Sequence, residues 1–66
     1  MGTVKSFDEN KGYGFITPDN GGPDAFVHYS EIKMPGMQML TVGQKVKFDT
    51  RTGSRGVSAV NVRPLN

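Results

Sequence analysis

Sixty-six residues with no cysteine and a net charge of +2 describe one small domain, spanning 1–66, that neither a disulfide nor a thiolate metal site can brace. No stretch approaches the ~20 consecutive apolar residues of a membrane helix, and the N-terminus carries no apolar signal segment, so the expectation is a cytoplasmic protein with no membrane partner. A chain this short can bury only a modest core and should be marginally stable.

Turn signals punctuate the chain at short intervals, and strand-like runs lie between them. Thr3–Asp8 reads as a first strand, stopped by Asn10-Lys11-Gly12. Tyr13–Thr17 follows, then the turn-rich Asp19-Asn20-Gly21-Gly22-Pro23. Asp24–His28 reads as a third strand, and Tyr29–Ile32 as one helical turn. A long connection contains Met34-Pro35-Gly36 and ends at Val42-Gly43. Lys45–Arg51 reads as a fourth strand, alternating polar and apolar residues over Lys45-Val46-Lys47-Phe48-Asp49. After Thr52-Gly53-Ser54-Arg55-Gly56 comes Val57–Val62, whose alternation is broken locally at Ala59-Val60. Five short strands and no long amphipathic helix predict an all-β fold, a five-stranded antiparallel barrel of OB type, because an open sheet would leave edges and an apolar face exposed. Val4, Ile16, Val27, Ile32, Val46, Phe48, Val60 and Val62 are the expected core, with Leu40 joining from the long connection.

The rings are unevenly placed. Five of the six Phe and Tyr residues precede residue 30, and four of these fall in Lys11-Gly12-Tyr13-Gly14-Phe15-Ile16 and Asp24-Ala25-Phe26-Val27-His28-Tyr29. Side chains two apart on a strand share a face. If Ile16, Ala25 and Val27 turn inward, Tyr13, Phe15, Phe26 and His28 turn outward. A small domain forgoes about 25 cal/mol for each Å² of apolar surface left in water. Four outward rings therefore suggest a binding face, and unpaired nucleobases stack on such a face. Charge is uneven too. Residues 1–32 set Lys5 and Lys11 against five carboxylates, a net of −3, whereas residues 33–66 set six cations against Asp49, a net of +5. A phosphate-binding rim would draw its cations from the second half.

Other chemistries fare worse. His28 has no second His or Cys with which to hold a metal, no cofactor motif is present, and no Gly-Lys-Ser/Thr follows the glycines as a phosphate loop requires. No nucleophile and base stand at a paired spacing, so neither an enzyme nor a small-molecule substrate is expected. A small barrel adaptor of SH3 type, binding Pro-rich peptides through its rings, is the alternative. A monomer that binds single-stranded RNA, DNA or both is the leading expectation.

At its two ring clusters the sequence resembles the bacterial cold-shock proteins. Lys11-Gly12-Tyr13-Gly14-Phe15-Ile16 is similar to that family's first ribonucleoprotein motif, and Phe26-Val27-His28-Tyr29 to its second. Gly2-Thr3-Val4-Lys5, Asp24, Gly43-Gln44-Lys45-Val46 and Arg55-Gly56 also fit, so the likeness runs through nearly the whole chain. The resemblance implies an OB barrel that binds single strands with low sequence selectivity, and a role as an RNA chaperone or as a regulator of transcription or translation in cold or stress. Its binding surface would comprise Lys5, Phe7, Lys11, Tyr13, Phe15, Asp24, Phe26, His28, Tyr29, Met37 and Arg55. Lys5, Lys11 and Arg55 would neighbour phosphates, while Asp24 would either accept from a base edge or stabilise the turn after Pro23. Two positions depart from the family: Ser6 stands where members usually have Trp, and Met37 where they commonly have Phe.

Overall fold

The computed structural model describes residues 1–33, 40–54 and 56–65; readings that fall on Met37 and Arg55 lie outside the described residues. Five strands, β1 (Gly2–Asp8), β2 (Tyr13–Pro18), β3 (Ala25–His28), β4 (Lys45–Gly53) and β5 (Gly56–Pro64), form a closed barrel in the ring order β1-β2-β3-β5-β4. One 3₁₀ turn, Tyr29–Glu31, follows β3 where a helical turn was expected.

The expectation of a purely antiparallel barrel is corrected at one joint. Four neighbouring pairs are antiparallel, but β3 and β5 run parallel, with Phe26 opposite Ser58 and Val27 opposite Ala59. The reason is parity. Antiparallel neighbours alternate in direction, and a ring with an odd number of members cannot alternate all the way round. A closed five-stranded barrel must contain a parallel pair, and here it is the β3–β5 seam.

The strands start and stop for local reasons. The turn after β1 is held by Asp8, whose Oδ1 accepts from the backbone N–H of Asn10 at 3.0 Å and of Lys11 at 3.1 Å. The same turn needs a left-handed residue at its exit, and Gly12 supplies it with φ +78°. β3 ends where His28 caps the 3₁₀ turn, its Nδ1 accepting from the Ser30 N–H at 3.3 Å.

The core is Val4, Ile16, Ala25, Val27, Ile32, Leu40, Val46, Ala59 and Val62, with Phe7, Phe48 and Val57 packed partly buried against it. Two expected core members are therefore displaced. Phe48 is only half-buried and lies against Gly2, where an added Cβ would come within 2.9 Å of its ring. Val60 gives way to Ala59 because β5 carries an extra residue. Lys47 pairs with Arg63 and Asp49 with Val60, which leaves Asn61 and Val62 opposite Phe48 alone. Asn61 absorbs the bulge in a left-handed conformation, φ 53°, which asparagine tolerates better than most residues. Ala59 and Val62 then both point inward, and Val60 is turned toward the outer face. A second bulge, between Val4 and Ser6 on β1, leaves Lys5 and Ser6 both exposed.

Candidate nucleic-acid interface

Register brings the rings together. β2 and β3 pair Tyr13 with His28 and Phe15 with Phe26, so the four side chains form a two-by-two block on the outer face. Phe15 is 39% exposed and Phe26 36%, whereas Tyr13 and His28 are half-buried beside them. The Phe26 ring lies 5.5 Å from that of Tyr13, tilted by 33°, and meets Phe15 nearly edge-on at 5.8 Å. Both separations suit the aromatic quadrupole. The rings thus brace one another while leaving surface for a ligand.

Tyr29 joins from beyond the strand. Its N–H donates to the Gly12 carbonyl at 2.8 Å, and its ring covers Gly12 so closely that an added Cβ there would stand 2.7 Å from Cδ1. The His28 and Tyr29 rings are 4.6 Å apart, and Tyr29 is 42% exposed. His28 Nδ1 accepts from the Ser30 N–H at 3.3 Å and lies 2.9 Å from Ser30 Oγ, so Nδ1 is engaged by the turn and Nε2 is the ring nitrogen left without a partner among the described residues. The 3₁₀ turn therefore orients the histidine.

Gly14 sits between the two β2 rings and faces the opposite way. A Cβ there would collide with the Ser6 carbonyl oxygen and lie 2.7 Å from Phe7 Cα. Its lack of a side chain lets β1 and β2 approach closely beneath the rings. Phe7 pairs with Gly14 and packs half-buried against the core, so it stands on the inner side rather than in the ring block.

Asp24 is already engaged by two side chains of the barrel. Its Oδ2 accepts from Lys5 Nζ at 2.9 Å and its Oδ1 from Thr17 Oγ1 at 3.1 Å, a clasp across β1, β2 and the start of β3. The Lys5 hydrogen bond foremost, then that of Thr17, holds its carboxyl below the usual aspartate range, against a smaller opposing effect of desolvation. Lys5 is thereby parked at the edge of the ring block, while Lys11 is exposed in the turn beside Tyr29.

Following the register around the barrel places four residues absent from the expected site, Ser6, Ser58, Arg51 and Val60. Ser6 pairs with Phe15, Phe15 with Phe26, Phe26 with Ser58, and Ser58 with Arg51, giving one continuous outer row across all five strands. Val60, thrown outward by the bulge, lies one step along from Ser58. Arg51 is exposed at the β4 end of that row. What one strand could not reveal was that β4 would meet the ring block through β5.

A closed five-stranded barrel that displays a block of outward rings belongs to the OB-type class. Residues 1–65 match the model of the 'Cold-shock' DNA-binding domain, and the chain belongs to that family. It is 52% identical to cold shock-like protein CspA of Stigmatella aurantiaca over 64 residues, 97% of this chain and 94% of the relative. It is 51% identical to cold shock-like protein CspE of Escherichia coli, across 97% and 93% of the two chains. A solved structure of drosophila Unr CSD456 shares the fold, with a TM-score of 0.80 at 22% identity over 98% of this chain. The chain spans 26% of that larger molecule.

Proposed function

We propose that this protein binds single-stranded RNA and DNA by stacking unpaired bases on Phe15, Phe26, Tyr13, His28 and Tyr29. The observation that carries the reading is the register of β2 and β3, which sets Phe15 beside Phe26 and Tyr13 beside His28 on the solvent side, opposite a core built of other residues. Every base has a flat face, so stacking tolerates sequence. Lys5, Lys11 and Arg55 serve as phosphate neighbours, and His28 Nε2–H serves as a donor to a base or phosphate. Met37 offers a polarisable thioether to a further base. Phe7 contributes from beneath, by supporting the strand that carries Ser6. Asp24 acts by holding Lys5.

In the cell this activity keeps RNA open and opposes hairpin re-formation, the work of an RNA chaperone or of a regulator of transcription or translation under cold or stress. Membership of the cold-shock family supports this role. The protein acts as a monomer in the cytoplasm and without catalysis. Among the described residues no helix is long and apolar enough to cross a membrane.

The test is a titration with oligo-U and oligo-dT at two salt concentrations, comparing the parent with Phe15→Ala and Phe26→Ala. Each lost platform should weaken binding by about 1–3 kcal/mol, or roughly 5- to 150-fold. Affinity should fall with salt, by about 0.7 in the log–log slope per neutralised phosphate. Unchanged affinity in both variants would dismiss the ring block as the site.

A further inference from the structure

The outer row does not end at Phe26, and beside it lies a cleft of about 210 Å³ lined by Phe26, His28, Val60, Ser58, Glu31 and Arg51 among its residues. Its make-up is unlike that of the ring block. Phe26 and Val60 give it apolar surface. Arg51 supplies a planar fork of donors, and Glu31 a pair of acceptors. The two charges are not collapsed onto each other: among the described residues no carboxylate lies within 4.0 Å of the Arg51 side chain. Glu31 Oε1 accepts only a long hydrogen bond, 3.4 Å, from the Asn61 N–H. Both groups retain capacity for a ligand.

We infer that this cleft is a guanine-selective subsite, in which Arg51 and Glu31 read the edges of the base stacked on or next to Phe26. The inference rests on the single-strand reading above and adds selectivity to it. Guanine alone among the bases has one edge with two acceptors, O6 and N7, and another with two donors, N1–H and N2–H₂. An arginine fork matches the first edge. A carboxylate matches the second by the same two-point geometry. Adenine presents a donor at N6 where guanine has O6, and so leaves part of the Arg51 fork unpaired. Cytosine has two adjacent acceptors, O2 and N3, but no adjacent pair of ring and exocyclic donors for Glu31, and uracil has neither pair, so guanine alone satisfies both side chains. Position supports the assignment. Arg51 is two strands from Phe26 through Ser58, about 10 Å between backbones at ~4.8 Å per strand. A long side chain crosses much of that distance and meets a base lying over Phe26 from the side. Stacking alone would accept any base, so selectivity requires such an edge contact.

The experiment compares oligo-U with otherwise identical strands carrying one guanine, or one adenine, at each position in turn. Binding is measured for the parent, Arg51→Ala and Glu31→Gln at fixed salt. The parent should favour guanine at one register by about 5-fold or more, the discrimination expected of one bidentate pair, and should not favour adenine there. Arg51→Ala and Glu31→Gln should reduce that ratio toward one, with the loss larger for the guanine strand than for oligo-U. If all registers and bases bind alike while oligo-U still binds, the subsite is refuted and the stacking face stands. If Arg51→Ala weakens every strand equally and lowers the salt slope, Arg51 is a phosphate contact and the guanine reading is again refuted. Failure of every strand to bind would overturn both readings. Thermal melts of the variants separate loss of fold from loss of contact, and Glu31→Gln keeps an oxygen for the Asn61 N–H.

Discussion

Ser6 is the position at which the stacking face should be easiest to enlarge. It is exposed, lies directly opposite Phe15 and begins the outer row that continues through Phe26. Replacing it by tryptophan, Ser6→Trp, sets a large ring beside Phe15 at the ~4.5–5.5 Å Cβ spacing of cross-strand neighbours. Two consequences follow. A new aromatic pair is worth ~0.5–1.5 kcal/mol to the fold, which raises Tm by roughly 2–12 °C in a domain of this size. A new platform is worth ~1–3 kcal/mol per stacked base, tightening binding to oligo-dT by about 5- to 150-fold. The parent contains no tryptophan, so the variant also acquires a unique fluorophore at the site. Anisotropy of a labelled oligo-dT gives Kd for both proteins on one scale, and quenching of the new indole reports whether a base lies on it. Equal affinities, or an indole that stays unquenched at saturation, would refute the idea that the row extends onto β1.

Other expectations concern the scaffold. Gly14→Ala forces a Cβ against two backbone groups, the Ser6 carbonyl oxygen and Phe7 Cα at 2.7 Å, and neither can swing aside. It should cost about 3 kcal/mol or more and lower Tm by over ~10 °C. Gly21→Ala meets a positive φ, +82°, but no atom within 4 Å, so it should cost only the left-handed penalty of ~1–2 kcal/mol. A melting series that reversed this order would show that close packing beneath the rings is not what requires Gly14. For Asp24 the carboxyl titrates lower in the folded state than in the unfolded one. Its contribution is therefore complete above the unfolded value of ~3.9 and is lost as pH falls through the lower folded value. Urea midpoints measured from pH 6 down to pH 2 should decline less steeply at the acid end in Asp24→Asn than in the parent, and identical curves would show the clasp to be without consequence.

Much of this molecule could be read from its residues because the relevant information is local. Alternation in Tyr13–Thr17 and in Phe26-Val27-His28 placed rings outside and aliphatics inside, and Gly12 marked the turn that joins β1 to β2. The failures occur where the backbone departs from a period of two. Val60 was expected in the core, and the bulge at Asn61 moved it to the cleft beside Phe26. The irregular Ala59-Val60 pair followed by asparagine was the available clue. Asp24 illustrates a different limit. Its partners, Lys5 and Thr17, are 19 and 7 residues away, and no pattern in the chain announces a contact made only when three strands lie side by side. Arg51 needed two such non-local pairings before its place beside the rings emerged.

The parallel seam has a bearing on the order in which the protein assembles. All four members of the ring block lie on the β2–β3 hairpin, whose partners are near in sequence, Phe15 with Phe26 for example. The seam instead joins Phe26 to Ser58, so it can form only after β4 and β5 have been brought round. Closing that long loop carries the larger entropic cost. The four-ring block can thus form before the barrel is shut, and brief opening at the seam leaves its β2–β3 pairing intact, whereas the cleft with Arg51 is lost. Amide exchange should register the difference, with hydrogens bridging β3 and β5 released sooner than those bridging β2 and β3.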